Sequence, residues 1–184
     1  MDVFYTLLIL AGGEGRRMGG RDKGLVEVDG QPLVDHLLAA VAPPGPVVIS
    51  ANRNLDAYRR RAGTVVPDRR DDYCGPMAGL EAGLAACGDG PVLCLPCDLL
   101  APPAALPGLL LEGLDPGRVR IIEDQRGPQP LCLGLYGGRW VPSITGYLDQ
   151  GGRSVRGWLE RVPHEVVRLQ GRLENRNRLT PDRD

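Results

Sequence analysis

Lys23 is the one lysine among 22 basic residues of this chain. It lies near the end of Leu10-Ala-Gly-Gly-Glu-Gly-Arg-Arg-Met-Gly-Gly-Arg-Asp-Lys-Gly-Leu25, a segment with six glycines and three arginines. Glycine lets backbone amides approach an anion closely, and arginine and lysine neutralise it, so the composition is that of a phosphate-binding turn. A solitary lysine in an arginine-rich chain points to a site that wants a compact ammonium on phosphate oxygens. Two familiar phosphate loops are excluded by spacing. The dinucleotide fingerprint needs a glycine where Met18 stands, and a P-loop needs Lys and a hydroxyl residue where Arg21-Asp22 follow Gly20. Asp98 supplies the complementary charge. It ends an apolar run, Pro91 to Cys97, and a carboxylate at a strand tip suits Mg²⁺, which takes one or two carboxylates plus substrate phosphates.

Other candidates are weaker as isolated signals. All four asparagines fall in two Asn-Arg-Asn triplets, Asn52 to Asn54 and Asn175 to Asn177. An amide that both donates and accepts suits a base edge, a ribose or a pterin, and it equally suits turns and caps. Cys94-Leu-Pro-Cys97 has redox spacing, yet no helix start follows it and no second pair completes a zinc site, so inert strand thiols are expected. His36 and His164 have no partners at ligand spacing.

These residues need strands to present them. Phe4 to Ala11 is an apolar run that breaks into glycine, the pattern of a strand buried on both faces of a parallel sheet. Helices are expected at Pro32 to Val41, Leu55 to Arg61, Gly75 to Cys87, Arg139 to Asp149 and Ser154 to Arg161, and strands at Pro46 to Ala51, Thr64 to Pro67, Pro91 to Pro96, Arg118 to Glu123, Gln129 to Tyr136 and Glu165 to Leu169. Such alternation predicts an α/β fold, a Rossmann-like doubly wound, mostly parallel sheet, with Arg118 to Tyr136 as an antiparallel insertion. Ligands of such sheets bind beyond the carboxyl ends of the strands, where Gly12 to Lys23, Asn52, Asp68 and Asp98 all fall.

The 184 residues fit a single domain, 1–184, with a loosely held tail from about 172. The apolar run at the start, interrupted by Thr6, is far shorter than the roughly 20 residues of a bilayer span, and no basic leader precedes it, so neither a membrane nor a secretory signal is expected. Two Trp, five Tyr and one Phe at a net charge of −1 argue against nucleic-acid binding. Five cysteines, an odd number, fit reduced thiols in the cytoplasm.

The glycine loop, taken with Ser50-Ala-Asn-Arg53, Asp72-Tyr-Cys-Gly-Pro-Met-Ala-Gly79, Cys94-Leu-Pro-Cys-Asp98, Gly127-Pro-Gln-Pro130 and Asn175-Arg-Asn177, resembles the molybdenum cofactor guanylyltransferase family over nearly the whole chain. The resemblance implies transfer of GMP from Mg²⁺-bound GTP to the terminal phosphate of molybdopterin, with release of pyrophosphate. It implies nucleotide contacts at Leu10, Ala11, Gly12, Gly13 and Lys23, a guanosine contact at Asp68, Mg²⁺ and GTP on Asp98, and pterin contacts at Asn175 and Asn177. Ser50 stands where the family commonly has asparagine, and Asn52 is expected to share that nucleotide contact. Arg16, Arg17 and Lys23 would offset charge on the transferred and leaving oxygens. An ionised phosphate nucleophile needs no general base, in keeping with the lack of a candidate histidine. Cofactor-delivery proteins or molybdoenzymes would receive the product. Gly12, where CTP-using relatives carry alanine, favours GTP. The rival readings are a molybdenum cofactor cytidylyltransferase and a silent carrier that binds nucleotide or pterin without releasing pyrophosphate.

Overall fold

Strand β1 (Thr6–Leu10) is apolar throughout because both of its faces are covered. In the computed structural model, which describes residues 3–12, 21–70 and 75–175, its side chains alternate between two cores. Leu8 and Leu10 point into one, Leu7 and Ile9 into the other. Leu7, Leu8 and Ile9 are fully buried, each contributing about 1.5–3 kcal/mol of transfer free energy.

Around β1 the chain lays down β2 (Glu27–Val28), β3 (Gln31–Pro32), α1 (Leu33–Val41), β4 (Val47–Ser50), α2 (Leu55–Arg59), β5 (Thr64–Val66), α3 (Pro76–Cys87) and β6 (Pro91–Pro96). Then come β7 (Leu99–Leu100), α4 (Leu106–Leu111), β8 (Val119–Asp124), β9 (Gly127–Tyr136), α5 (Val141–Asp149), α6 (Val155–Leu159), β10 (His164–Arg168) and β11 (Glu174–Asn175). Seven strands form the central sheet in the order β10-β8-β9-β6-β1-β4-β5. Only β9 runs against the rest, pairing antiparallel with β6 and β8, so the expected mostly parallel sheet with an antiparallel insertion is what the chain builds. The core on one face gathers residues of α3, α5 and α6, and the other gathers residues of α1, α2 and α4. None of the described helices is long and apolar enough to cross a membrane.

Most expected elements sit within one or two residues of their sequence boundaries. The helix expected from Arg139 begins as a 3-10 turn, Gly138–Trp140, before α5 proper. Three features go beyond the sequence reading. The β2–β3 hairpin turns on Asp29 and Gly30, both at positive φ (+50° and +76°), the conformation that two-residue hairpin turns demand. Helix α4 forms despite Pro107 because the proline occupies its first turn, where no intrahelical N–H is needed. The first residues of the expected tail are tied down, β11 pairing antiparallel with β7 and Leu173 N–H donating to Asp124 at 2.9 Å, and residues 176–184 lie outside the described residues.

Helix α3 lies unusually close to the sheet. A Cβ on Gly83 would collide with Leu8, and one on Gly79 would stand 2.8 Å from Ser50 Oγ. The i, i+4 glycines therefore form a seam that lets the helix backbone approach β1 and β4.

Candidate functional site

The parallel register brings the critical strand ends together. Leu10 of β1 is level with Pro96 of β6 on one side and with Ser50 of β4 on the other, and Ser50 is level with Val66 of β5. The chain then leaves all four strands on one edge. Cys97 N–H donates to Leu10 O at 3.1 Å and Ala11 N–H to Ser50 O at 2.8 Å, which extends the ladder one residue into the loops. Between these exits opens a cleft of about 530 Å³ whose walls include Leu10, Ala11, Gly12, Ser50 and Asp68 as well as the Lys23–Asp98 pair.

Lys23 and Asp98 meet as an ion pair on one wall. Asp98 is 6% exposed, so its charge is largely withdrawn from water and answered by the ammonium. The opposite wall is built differently. Asn52 brackets Asp68, its amide donating to Asp68 Oδ2 at 2.8 Å while its carbonyl oxygen accepts from Asp68 N–H at 2.8 Å. That leaves Asp68 Oδ1 buried and, among the described residues, without a hydrogen-bond partner, as is Ser50 Oγ beside it. Burial raises the Asp68 carboxyl above the usual aspartate range, opposed by the Asn52 hydrogen bond and helped by the charge of Glu81. Gly12 and Gly79 keep the space over these two oxygens open, since a Cβ on Gly12 would lie 3.8 Å and one on Gly79 3.6 Å from Asp68 Oδ1.

Two residues beyond Asp68, Arg70 fixes the course of the chain. Its guanidinium donates two 2.9 Å bonds to buried Glu81 of α3 and one of 2.7 Å to Asp149 of α5. That pairing, with Thr145 Oγ1 donating to Glu81, holds the Glu81 carboxyl below its ordinary value despite burial. Gly75 (φ +65°) and Pro76 place the start of α3 at the cleft, where the partial positive charge of a helix N-terminus favours anions.

Of the site residues expected from sequence, the structure thus brings Leu10, Ala11, Gly12, Lys23, Ser50, Asp68 and Asp98 to one cleft. Asn52 stands behind Asp68, with both ends of its amide engaged. Asn175 is level with Leu99, the residue after Asp98, and its Oδ1 is buried with no partner among the described residues. Gly13, Arg16, Arg17 and Asn177 lie outside the described residues, as does Cys74. Cys94 and Cys97 face opposite cores and so share no face of the sheet. Burial raises both thiols and pushes those of Cys87 and Cys132 up to about 12, as inert thiols require. His36 Nε2 bonds Val28 O at 2.7 Å, tying α1 to the hairpin, and His164 is exposed on an edge strand.

Sequence reasoning overlooked Asp22, Tyr58 and Gly79. The glycine seam of α3 was visible as a four-residue repeat; the pairing of Asp22 with Tyr58 spans 36 residues and depends on the β1–β4 adjacency. Another concavity, of about 560 Å³, is flanked by Arg120, whose guanidinium is taken up by the carbonyls of Leu109, Glu112 and Gly113 and by Glu165.

A family model described as a MobA-like NTP transferase domain matches residues 7–166. A molybdenum cofactor guanylyltransferase of Ralstonia nicotianae is 40% identical over 175 residues, which cover 88% of this chain and 85% of the relative. One from Pseudomonas syringae pv. syringae is 38% identical over 178 residues, covering 94% and 88%. The crystal structure of molybdopterin-guanine dinucleotide biosynthesis protein A from Archaeoglobus fulgidus shares the fold at a TM-score of 0.69 and 24% identity, over 90% of this chain and 83% of that one. Since the match runs from the first buried strand to the last of the central sheet and takes in the whole described cleft, the chain belongs to the family of MobA-like NTP transferase domains.

Proposed function

We propose that this protein transfers GMP from GTP to the terminal phosphate of molybdopterin and releases pyrophosphate. The observation that carries the reading is the two-sided cleft: an ammonium–carboxylate pair, Lys23 and Asp98, on one wall and, on the other, oxygens of Ser50 and Asp68 that have no partner among the described residues. Guanine and ribose present N–H and O–H donors, which buried acceptors such as Asp68 Oδ1 are suited to receive. A triphosphate needs cationic charge, which Lys23 supplies, joined by Arg16 and Arg17 of the glycine loop. The open space above Gly12 favours the larger purine over cytosine, because a Cβ there would stand 3.3 Å from Asn52 Nδ2 and narrow the cleft beside Asp68.

The reaction forms one bond from a molybdopterin phosphate oxygen to the α-phosphorus of GTP. It breaks the bond from that phosphorus to the bridging oxygen, whose electron pair leaves with pyrophosphate. The chain's own part is positioning and charge. Lys23 neutralises oxygens of the triphosphate, the backbone at Leu10 to Gly12 lines the cleft that receives it, and Asp68, braced by Asn52, orients the nucleoside. Asn175, on β11, is a contact for the pterin in this reading, and Asn177 is expected to be another. A divalent cation would fit here, since Asp98 offers one buried carboxylate at the cleft wall and Mg²⁺ needs no more than one or two carboxylates from a protein that also binds phosphates. When bound by Asp98, Mg²⁺ would supply Lewis-acid charge stabilisation. The reaction belongs in the cytoplasm, and the product passes to a molybdoenzyme or a delivery protein.

Pyrophosphate release, measured with molybdopterin, Mg²⁺ and either GTP or CTP, tests the assignment. GTP is expected to be used at least about tenfold more efficiently than CTP, a floor well below the roughly 10⁴-fold that a hydrogen-bonding site can reach. Preference for CTP would make the protein a cytidylyltransferase, and tight nucleotide binding without pyrophosphate release would make it a carrier.

A further inference from the structure

Lys23 stands on a cluster that the proposed reaction does not itself consume. Asp22 precedes it, and both carboxylate oxygens of Asp22 are engaged: the Tyr58 hydroxyl donates to Oδ1 at 2.5 Å and the Asn54 amide to Oδ2 at 3.0 Å. Gly24, on the other side of Lys23, lies over the same hydroxyl, since a Cβ there would stand 2.5 Å from Tyr58 Oη and 3.3 Å from Cys97 Cβ. Residues 22 and 24 therefore both rest on Tyr58, and the 3-10 turn of Lys23–Leu25 closes through Leu25 N–H to Asp22 O at 3.1 Å. Tyr58 is fully buried on α2, and burial reinforced by Asp22 keeps its phenol protonated far above the usual range, hence a donor at any working pH. Asn54 holds a left-handed backbone (φ +50°) just ahead of α2, a conformation asparagine tolerates better than most residues. Arg53 adds a bond of 3.4 Å to Arg21 O.

We infer that Asp22, Tyr58 and Asn54 are positioning residues, a clamp from the exit of β4 to the loop after β1 that seats Lys23 against Asp98. Lysine has four rotatable bonds, so its ammonium is well placed only if its backbone is fixed. The same Asn-Arg-Asn triplet thus serves two loops: Asn52 braces Asp68 and Asn54 braces Asp22, the residue before Lys23. The inference rests on the reading of Lys23 as the cation that meets phosphate.

The test is a double-mutant cycle on pyrophosphate release with GTP, Mg²⁺ and molybdopterin. Tyr58→Phe keeps the ring and removes the hydroxyl; it is expected to lower kcat about tenfold with KM for GTP changed less than about threefold. In a Lys23→Ala background the same change is expected to cost less than about twofold, because residues that act through one group are not additive. Asn54→Gly, which removes the amide and keeps the left-handed turn, is the second arm should Tyr58→Phe not fold, and it is expected to show the same dependence on Lys23. Asp22→Asn, which retains an acceptor for Tyr58, is expected to keep more activity than Asp22→Ala. Equal losses with and without Lys23 overturn the clamp while leaving the role of Lys23 intact. No loss from Lys23→Ala alone overturns the role of Lys23 and the clamp with it.

Discussion

Asp68 and Asp124 are both carboxylates set at strand ends of the same sheet, and they are treated in opposite ways. Asp124, at the end of β8, is 5% exposed and receives three donors: Leu173 N–H at 2.9 Å, Arg126 N–H at 2.8 Å and Gln129 Nε2 at 3.0 Å. Burial alone would raise its carboxyl, yet it lies below the ordinary value because the bonds from Leu173, Arg126 and Gln129 together outweigh that burial. Asp68, after β5, has one oxygen braced by Asn52 and one left without a partner among the described residues, and its carboxyl is raised. Buried polar groups are ordinarily saturated, so a saturated carboxylate reads as structure and an unsaturated one as a place kept for a ligand. Arg120 and Lys23 differ likewise among the cations: Arg120 is taken up by three backbone carbonyls and Glu165 away from the cleft, whereas Lys23 meets Asp98 at the cleft wall.

The contrast would break most visibly at Asp98. Asp98→Ala is expected to reduce pyrophosphate release by at least about a hundredfold to a thousandfold, in line with loss of a preorganised charge, while the melting temperature holds within a few degrees. Asp124→Ala should do the reverse. It strands three donors, which at roughly 1 kcal/mol each gives a loss of about 3 kcal/mol by urea unfolding, with GTP affinity unchanged within about twofold. Two glycines of α3 sharpen the division within one helix. Gly79→Ala puts a methyl 2.8 Å from Ser50 Oγ and is expected to weaken GTP binding about tenfold by calorimetry, whereas Gly83→Ala presses on Leu8 and is expected to lower stability by about 1–3 kcal/mol and leave GTP binding alone.

The smallest effect is one of pH. A carboxyl raised in the folded state holds its proton to higher pH than the unfolded chain does, so Asp68's contribution to folding strengthens on acidification and is lost as pH rises through the raised value. Nucleotide binding that needs Asp68 charged runs the other way. GTP affinity is expected to fall a few-fold as pH drops through that raised value, and a titration of Asp68→Asn should be flat there.

The buried strands were the most legible part of the chain. β1 and β6 are covered on two faces, so their apolar runs have no polar interruption to confuse the period, and their exits locate Lys23 and Asp98. The β2–β3 hairpin has its signal in Asp29-Gly30, but flanking strands of two residues are too short to show the alternation that would support it. β7 and β11 were not legible, since a two-residue ladder that joins Leu99 to Asn175 leaves no pattern in either segment. The site divides likewise. Residues that line the cleft are short-range features of strand ends, whereas the supports behind them, Asn52 for Asp68 and Tyr58 for Asp22, are 16 and 36 residues away and become partners only through strand order.

The opposed orientation of Cys94 and Cys97 gives the molecule a pair of internal reporters. Cys94 lies in the core that α3 covers, and Cys97 lies in the opposite core at the cleft, against Gly24 of the Lys23–Leu25 turn. An alkylating reagent reaches Cys94 only after the α3 layer lifts from the sheet, whereas Cys97 opens to the cleft once the Lys23–Leu25 turn moves off it. Pulsed labelling followed by peptide mapping would therefore time the lifting of the α3 layer and the opening of the Lys23–Leu25 turn separately, on a chain that needs no engineered probe.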